Sequence, residues 1–186
     1  MTMEQFMRWL ATAATLFVAI PVLAAQDDPR LDALFGRLAL TDDAREATLI
    51  ENVIWSIWHQ SGDPRIDALM VRGIEAMQAE DYPAAEKAFT EITEKKPGFA
   101  EGWNKRATVR YLARDFKGSI ADIDKTLALE PRHFGTLSGL GLVYLALGRE
   151  EDALTAFKRA AALHPHVPGA DDQVKELEEH LRGKRI

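Results

Sequence analysis

Three prolines recur at a fixed interval along the chain. Pro97, Pro131 and Pro165 are each separated by 34 residues (131 − 97 and 165 − 131). When the chain is aligned on them, residues of similar size coincide at three more positions, namely Gly73, Ala107 and Gly141, then Ala85, Ser119 and Ala153, then Phe89, Ile123 and Phe157. A fixed period of this length is typical of architectures in which each unit packs only on its neighbours.

Each unit has the pattern of two helices, because its apolar residues recur every three to four positions. In the second unit the pattern predicts one helix over about Ala100–Ala113 and another over Phe116–Leu129. Proline has no N–H and disfavours helical backbone in the residue before it, so a unit ends near its proline. The units therefore run over residues 66–99, 100–133 and 134–167.

The repeated pattern resembles that of tetratricopeptide repeat proteins. The third unit carries the resemblance most fully, with Leu137, Gly141, Tyr144, Gly148, Ala153, Phe157, Ala160 and Pro165 at the family's positions. The second unit departs from it at Arg110, where the family usually has an aromatic residue, and at Ser119, where alanine is usual. The resemblance implies an all-α fold, a right-handed α-α superhelix or solenoid with helical caps at both ends.

The segment Glu130–Tyr144 contains three glycines, which could indicate either a phosphate-binding loop or close helix packing. A phosphate-binding loop needs a buried strand before it, whereas a predicted helix precedes Glu130. Gly141 takes the eighth position of its repeat, where the two helices approach most closely. Gly135 and Gly139 have no such role and would leave the wall of a groove open.

Helical patterns flank the three units. Arg30–Leu40 and Thr41–Gln60 form a predicted pair, with Thr41 or Asp42 as the N-cap of the second helix. One apolar face of that helix comprises Ala47, Ile50, Ile54, Ile57 and Trp58, and Leu34, Phe35 and Leu38 oppose it. We interpret the pair, over residues 30–65, as a degenerate repeat that caps the N-terminal end. In the alternative, Trp55 and Trp58 fill the groove of the array or meet a partner.

After the repeats, Ala170–Leu181 places Val174, Leu177 and Leu181 on one face and charges elsewhere, which is the pattern of a C-terminal capping helix.

The N-terminus has the pattern of a secretory signal peptide over residues 1–25. The apolar run Leu10–Ala25 follows Arg8 and ends in small residues, which favours cleavage after Ala24 or Ala25. Glu4 partly offsets the positive charge of Arg8. The expected location is the periplasm, and the alternative is a membrane tether through an uncleaved signal.

Composition narrows the class of function. A net charge of -6 gives no electrostatic indication of nucleic-acid binding, which usually needs a clustered basic face. The absence of cysteine excludes disulfides and thiolate metal sites. His164 and His166 form a close histidine pair without a third ligand at suitable spacing. We therefore expect no enzyme activity, no metal and no cofactor.

In the family that this chain resembles, the first helix of each repeat lines a concave groove. That resemblance implies a scaffold that binds an apolar or amphipathic helical segment of a partner protein. The implied contact residues are Met70, Ile74, Met77, Asn104, Thr108, Tyr111, Leu112, Ser138, Leu142 and Leu145. The alternative is a groove filled by the N-terminal helices in a structural protein that forms homo-oligomers.

Four cations are candidates for contacts with an anion or a carboxylate: Lys105, Arg106, Arg110 and Arg132. The competing interpretation is that they pair with Asp115, Asp122 or Asp124 of neighbouring helices. One variant of the family binds a terminal peptide carboxylate through Lys, Arg and Asn. Only Asn104 and Lys105 lie near those positions, so that clamp is not predicted.

Overall fold

The computed structural model describes residues 25–167 and 169–184. All of the predicted signal peptide except Ala25 lies outside these residues. The described part contains a short 3-10 turn at Ala25–Asp27 and nine α-helices. They are α1 (Arg30–Leu38), α2 (Ala44–Trp58), α3 (Pro64–Gln78), α4 (Tyr82–Lys95), α5 (Ala100–Leu112), α6 (Phe116–Leu129), α7 (Phe134–Ala146), α8 (Glu150–Leu163) and α9 (Ala170–Lys184).

The described helices confirm the all-α prediction, and α3–α4, α5–α6 and α7–α8 form the three repeated pairs. Helix α6 has the predicted bounds, and α5 ends one residue early. The predicted N-cap of α2 was wrong. Asp43 caps this helix, since its carboxylate accepts from the N–H of Arg45, while the Thr41 hydroxyl donates to Glu46.

The turn within each repeat contains one residue in the left-handed backbone region. Glu80, Arg114 and Gly148 have φ of 58°, 63° and 70°, and they lie 34 residues apart (114 − 80 and 148 − 114). The next N–H in each case bonds to the carbonyl five residues earlier, as from Asp115 to Arg110. This closing geometry satisfies carbonyls at the end of a helix, so the turn repeats with the sequence period.

The packing role predicted for Gly141 is confirmed. A Cβ on Gly141 would lie 2.6 Å from the ring of Phe157, and a Cβ on Gly73 would lie 2.5 Å from the ring of Phe89. The two helices of the first and third repeats therefore approach each other through a glycine on one helix and an aromatic ring on the other.

The apolar core of the described residues falls into three clusters. One is centred on the first repeat, with Leu69, Met70 and Phe89, and also includes Ala25 and Val109. Another joins the second repeat to the third through Ala107, Ile123 and Val143. The largest joins α1 and α2 to the third repeat and α9, and its buried members include Leu31, Phe35, Leu38, Ile54, Trp58, Phe134, Leu137, Phe157 and Leu177.

The N-terminal pair α1–α2 does not cap the N-terminal end of the array. Its Trp55 and Trp58 pack against the array itself, as in the alternative interpretation of the sequence. Its apolar residues pack against the third repeat, and neither helix contributes to the described apolar cluster of the first repeat. The faces of both helices were predicted well, but an apolar face does not specify which surface covers it. The structure therefore corrects the interpretation of this pair as a cap on the N-terminal end.

Candidate functional site

Helix α2 crosses the N-terminal ends of α5 and α7. The indole of Trp58 stacks on the His133 imidazole, with ring centroids 4.1 Å apart and planes 13° from parallel. The ring of Trp55 lies against Gly135, where a Cβ would be 2.8 Å from the indole. His59 Nε2 lies 3.4 Å from Glu101 Oε1 on α5. Part of the concave side is thus covered by the chain itself.

The covering continues to the far end of the third repeat. His164 Nε2 lies 3.2 Å from Glu51 Oε2 of α2, and His166 Nε2 lies 3.0 Å from the Thr41 carbonyl. The rings of His164 and Phe134 also make a T-shaped contact, with centroids 5.0 Å apart. Both histidines thus hold the N-terminal pair in place. In residues 25–167 and 169–184 there is no group of three potential ligands that could hold a metal ion.

A buried polar network lies under α2, centred on Glu101. One Glu101 oxygen accepts from Asn104 Nδ2 and from His133 Nε2, both at 3.0 Å, and Lys105 Nζ lies 3.1 Å from the other. His133 Nδ1 accepts the N–H of Thr136, so the ring proton is on Nε2. Burial alone raises the pKa of Glu101, but Lys105 and His133 hold that pKa at about 2.

The Glu101 network ties three helices together around an ionised carboxylate. The contact between Glu101 and His133 joins residues 32 positions apart and was not predicted from the sequence. The signal available was a lysine four residues after Glu101, which is ion-pair spacing on a helix.

The four candidate anion contacts are all engaged with carboxylates of this chain. Arg106 makes a bidentate contact with Asp122 at 2.8 and 2.7 Å, and it lies over the ring of Trp103. Arg110 bonds to Glu86 at 2.8 Å and to Asp122 at 2.9 Å.

Arg132 contacts Glu130 and Asp32, and Lys105 contacts Glu101. The hydrogen bond to Glu130 is the main cause that raises the pKa of Arg132. Arg106, Arg110 and Arg132 each reach an acid of another helix, whereas Lys105 pairs with Glu101 on its own helix. All four cations already have a carboxylate partner within the chain, which corrects their assignment as anion contacts.

The predicted groove residues differ in exposure. Met70 is buried in the core of the first repeat and Asn104 in the polar network, so neither faces a partner. Five are partly buried: Ile74, Met77, Tyr111, Ser138 and Leu145. Three are exposed: Thr108, Leu112 and Leu142.

We define the open strip as the accessible part of the groove, formed by Ile74 and Met77 of α3, Thr108 and Leu112 of α5, and Gly139 and Leu142 of α7. Leu112 and Leu142 are 41% and 42% exposed. Helix α7 carries no charged residue along its length. The strip therefore offers apolar and neutral polar surface beside α2.

Comparison with known proteins decides the family. The tetratricopeptide repeat model matches residues 70–131 and 104–168, which together span more than half of the chain. The chain belongs to the tetratricopeptide repeat family. A TPR repeat-containing protein of Rhizobium etli is 36% identical over 177 residues, covering 94% of this chain and 87% of the relative.

Solved tetratricopeptide repeat structures share the fold. The first TPR domain of Spaghetti, bound to an HSP90 peptide, superposes with a TM-score of 0.60 at 20% identity, covering 63% of this chain and 93% of that one. The Sgt2 TPR domain from Aspergillus fumigatus gives a TM-score of 0.62 at 16% identity, covering 66% and 83%. In the described part of this chain, no helix has the length and hydropathy needed to cross a membrane.

Proposed function

We propose that the protein is a non-enzymatic interaction module that binds an apolar or amphipathic helical segment of a partner protein in the open strip. The observation that carries this proposal is the exposure of Leu112 and Leu142 beside a helix without charge. The Spaghetti domain of similar fold holds a peptide, which supports peptide binding as a use of this architecture.

The energetics favour an apolar occupant. Burying a fully exposed leucine contributes about 1.5–3 kcal/mol, so Leu112 and Leu142, which are 41% and 42% exposed, would each contribute roughly half of that. The three cations of α5, Lys105, Arg106 and Arg110, already pair with acids of this chain, and α7 carries no charge, so neither helix offers a cation to a peptide carboxylate. Affinity would therefore come from apolar contact along the strip, as when an amphipathic helix lies in a groove.

The apolar N-terminal run supports export, and we place the working protein in the periplasm. Cell fractionation and N-terminal sequencing of the mature chain test this location. A mature chain that begins after Ala24 or Ala25 in the periplasmic fraction is expected. A full-length chain in the membrane fraction would instead show a tether by an uncleaved signal.

Photo-crosslinking in cells tests the binding surface. A photo-reactive residue at Leu112 or Leu142 is expected to capture a partner. The control is Leu147, a leucine of similar exposure, 44%, in the turn that follows α7. The captured partner should then lose affinity for Leu112→Glu and Leu142→Glu but not for Leu147→Glu. Equal capture at all three positions, or unchanged affinity, would remove the open strip from the proposal.

Homo-oligomerisation is the competing use of the molecule. Light scattering separates the two, because an interaction module of this kind is expected near the mass of one chain. A stable dimer whose formation is abolished by Leu142→Glu would assign the strip to a second copy.

A further inference from the structure

Glycine weakens a helix relative to alanine, so a helical glycine calls for a structural reason. Helices α3–α8 contain six glycines: Gly73, Gly102, Gly118, Gly135, Gly139 and Gly141. At five of them an added Cβ would lie less than 3.0 Å from another side chain. At Gly139 it would meet nothing within 4 Å. Internal packing therefore does not require a glycine at this position.

The contact at Gly135 shows which kind of side chain can pack on this face of α7. It lies one turn before Gly139 on the same face of α7. The indole of Trp55, supplied by the crossing helix α2, covers it, and Lys105 Nζ lies 5.7 Å from the centroid of that ring. This face of α7 already accommodates one aromatic ring from a crossing helix.

The surroundings of Gly139 suit a second ring. The Thr136 hydroxyl donates to Asn104 Oδ1 at 2.8 Å, which fixes the register of α7 against α5. Thr108 follows Asn104 by four residues and Gly139 follows Thr136 by three, so the two lie at the same level. Leu142 comes one turn later on α7, and it is exposed. A ring placed here would meet neutral and apolar groups.

We propose that Gly139 is the seat of an aromatic side chain presented by a partner helix that lies beside α2. This inference rests on the proposed function and adds the chemistry of the partner, an amphipathic helix with Trp, Phe or Tyr on its apolar face. Gly139 lies roughly 6 Å beyond Gly135 along α7. A ring from a helix packed roughly 8–10 Å from α2 reaches it.

Selection from a display library of amphipathic helices of about four turns tests the seat without a known partner. Helices selected on the full chain are expected to share an aromatic residue at one position. Their affinity should fall about tenfold or more for Gly139→Leu, which fills the seat. The matched control is Gly36→Leu in α1, where an added Cβ also meets nothing within 4 Å. That control should bind as the unaltered protein does.

A second measurement does not depend on how Gly139→Leu folds. Replacing the shared aromatic residue of a selected helix by alanine should weaken its binding to the unaltered protein about tenfold or more. Selected helices without a shared aromatic residue, or with equal affinity for Gly139→Leu, overturn the seat. If such helices still lose affinity for Leu112→Glu, binding in the open strip is supported and only the aromatic site at Gly139 is refuted. If the library yields no binder, both proposals fall.

Discussion

The indole of Trp58 lies parallel to the His133 imidazole at 4.1 Å, and this stack joins the N-terminal helices to the third repeat. Trp58 is almost fully buried, and His133 is fully buried. The pair α1–α2 is therefore part of the folded core. It covers the part of the groove at His133 and Gly135 and leaves the open strip uncovered beside it.

Removing the stacked ring should cost much of the stability. Trp58→Ala leaves a cavity against His133 and Phe134, and large-to-small changes of this kind cost about 3–5 kcal/mol. Urea unfolding measures the loss. Leu49→Ala, on the exposed side of the same helix, should change the unfolding free energy by less than about 0.5 kcal/mol. Equal unfolding free energies for the two variants would contradict the packing of α2 against the third repeat.

Neutralising the buried carboxylate should also destabilise the protein. Glu101→Gln removes the charge that Lys105 and His133 share, and hydrogen bonds to charged groups contribute about 1.5–3 kcal/mol. Calorimetry or urea unfolding would show the loss. Glu75→Gln, at an exposed glutamate of α3, is the control and should be close to neutral. A neutral Glu101→Gln would mean that the network contributes nothing to folding.

Stability should fall as the pH drops below about 6.5 through His164. Burial lowers the pKa of His164 from its ordinary value of 6.5, and the bond to Glu51 opposes this only in part. The unfolded chain therefore binds this proton more readily, so the unfolding free energy decreases as pH falls below 6.5. His164→Gln should flatten the dependence in urea unfolding between about pH 7.5 and pH 5.5. Parallel profiles for the two proteins would contradict this origin.

Two neighbouring glycines of α7 should respond to alanine in opposite directions. Gly139→Ala meets open space and should raise the unfolding free energy by about 0.5–1 kcal/mol. Gly141→Ala places a Cβ against Phe157 and should lower it by about 1–3 kcal/mol. Thermal or urea unfolding of both variants distinguishes them. The same sign for both would show that local packing does not decide the role of these glycines.

The sequence predicted the repeats well because their information is local and periodic. The bounds of α6 and the contact of Gly141 with Phe157 follow from the 34-residue pattern. The sequence left two positions open for α2, because an apolar stripe shows that a helix is buried but not against which surface. The sequence also left undecided which aspartate pairs with Arg106, because the ion pair with Asp122 joins two different helices.

The most direct test of the account is an intramolecular crosslink from α2. A photo-reactive residue in place of Trp55, followed by peptide mass spectrometry, reports what this position touches in the intact chain. Crosslinks within one chain to the segment around His133 and Gly135 are expected. Crosslinks to α3 or α4 would show that α1–α2 caps the first repeat. They would contradict a groove that is covered by α2 at Gly135 and open at the open strip. Crosslinked species of twice the mass would also contradict it, because a second copy of the chain would then lie where α2 is placed, at His133 and Gly135.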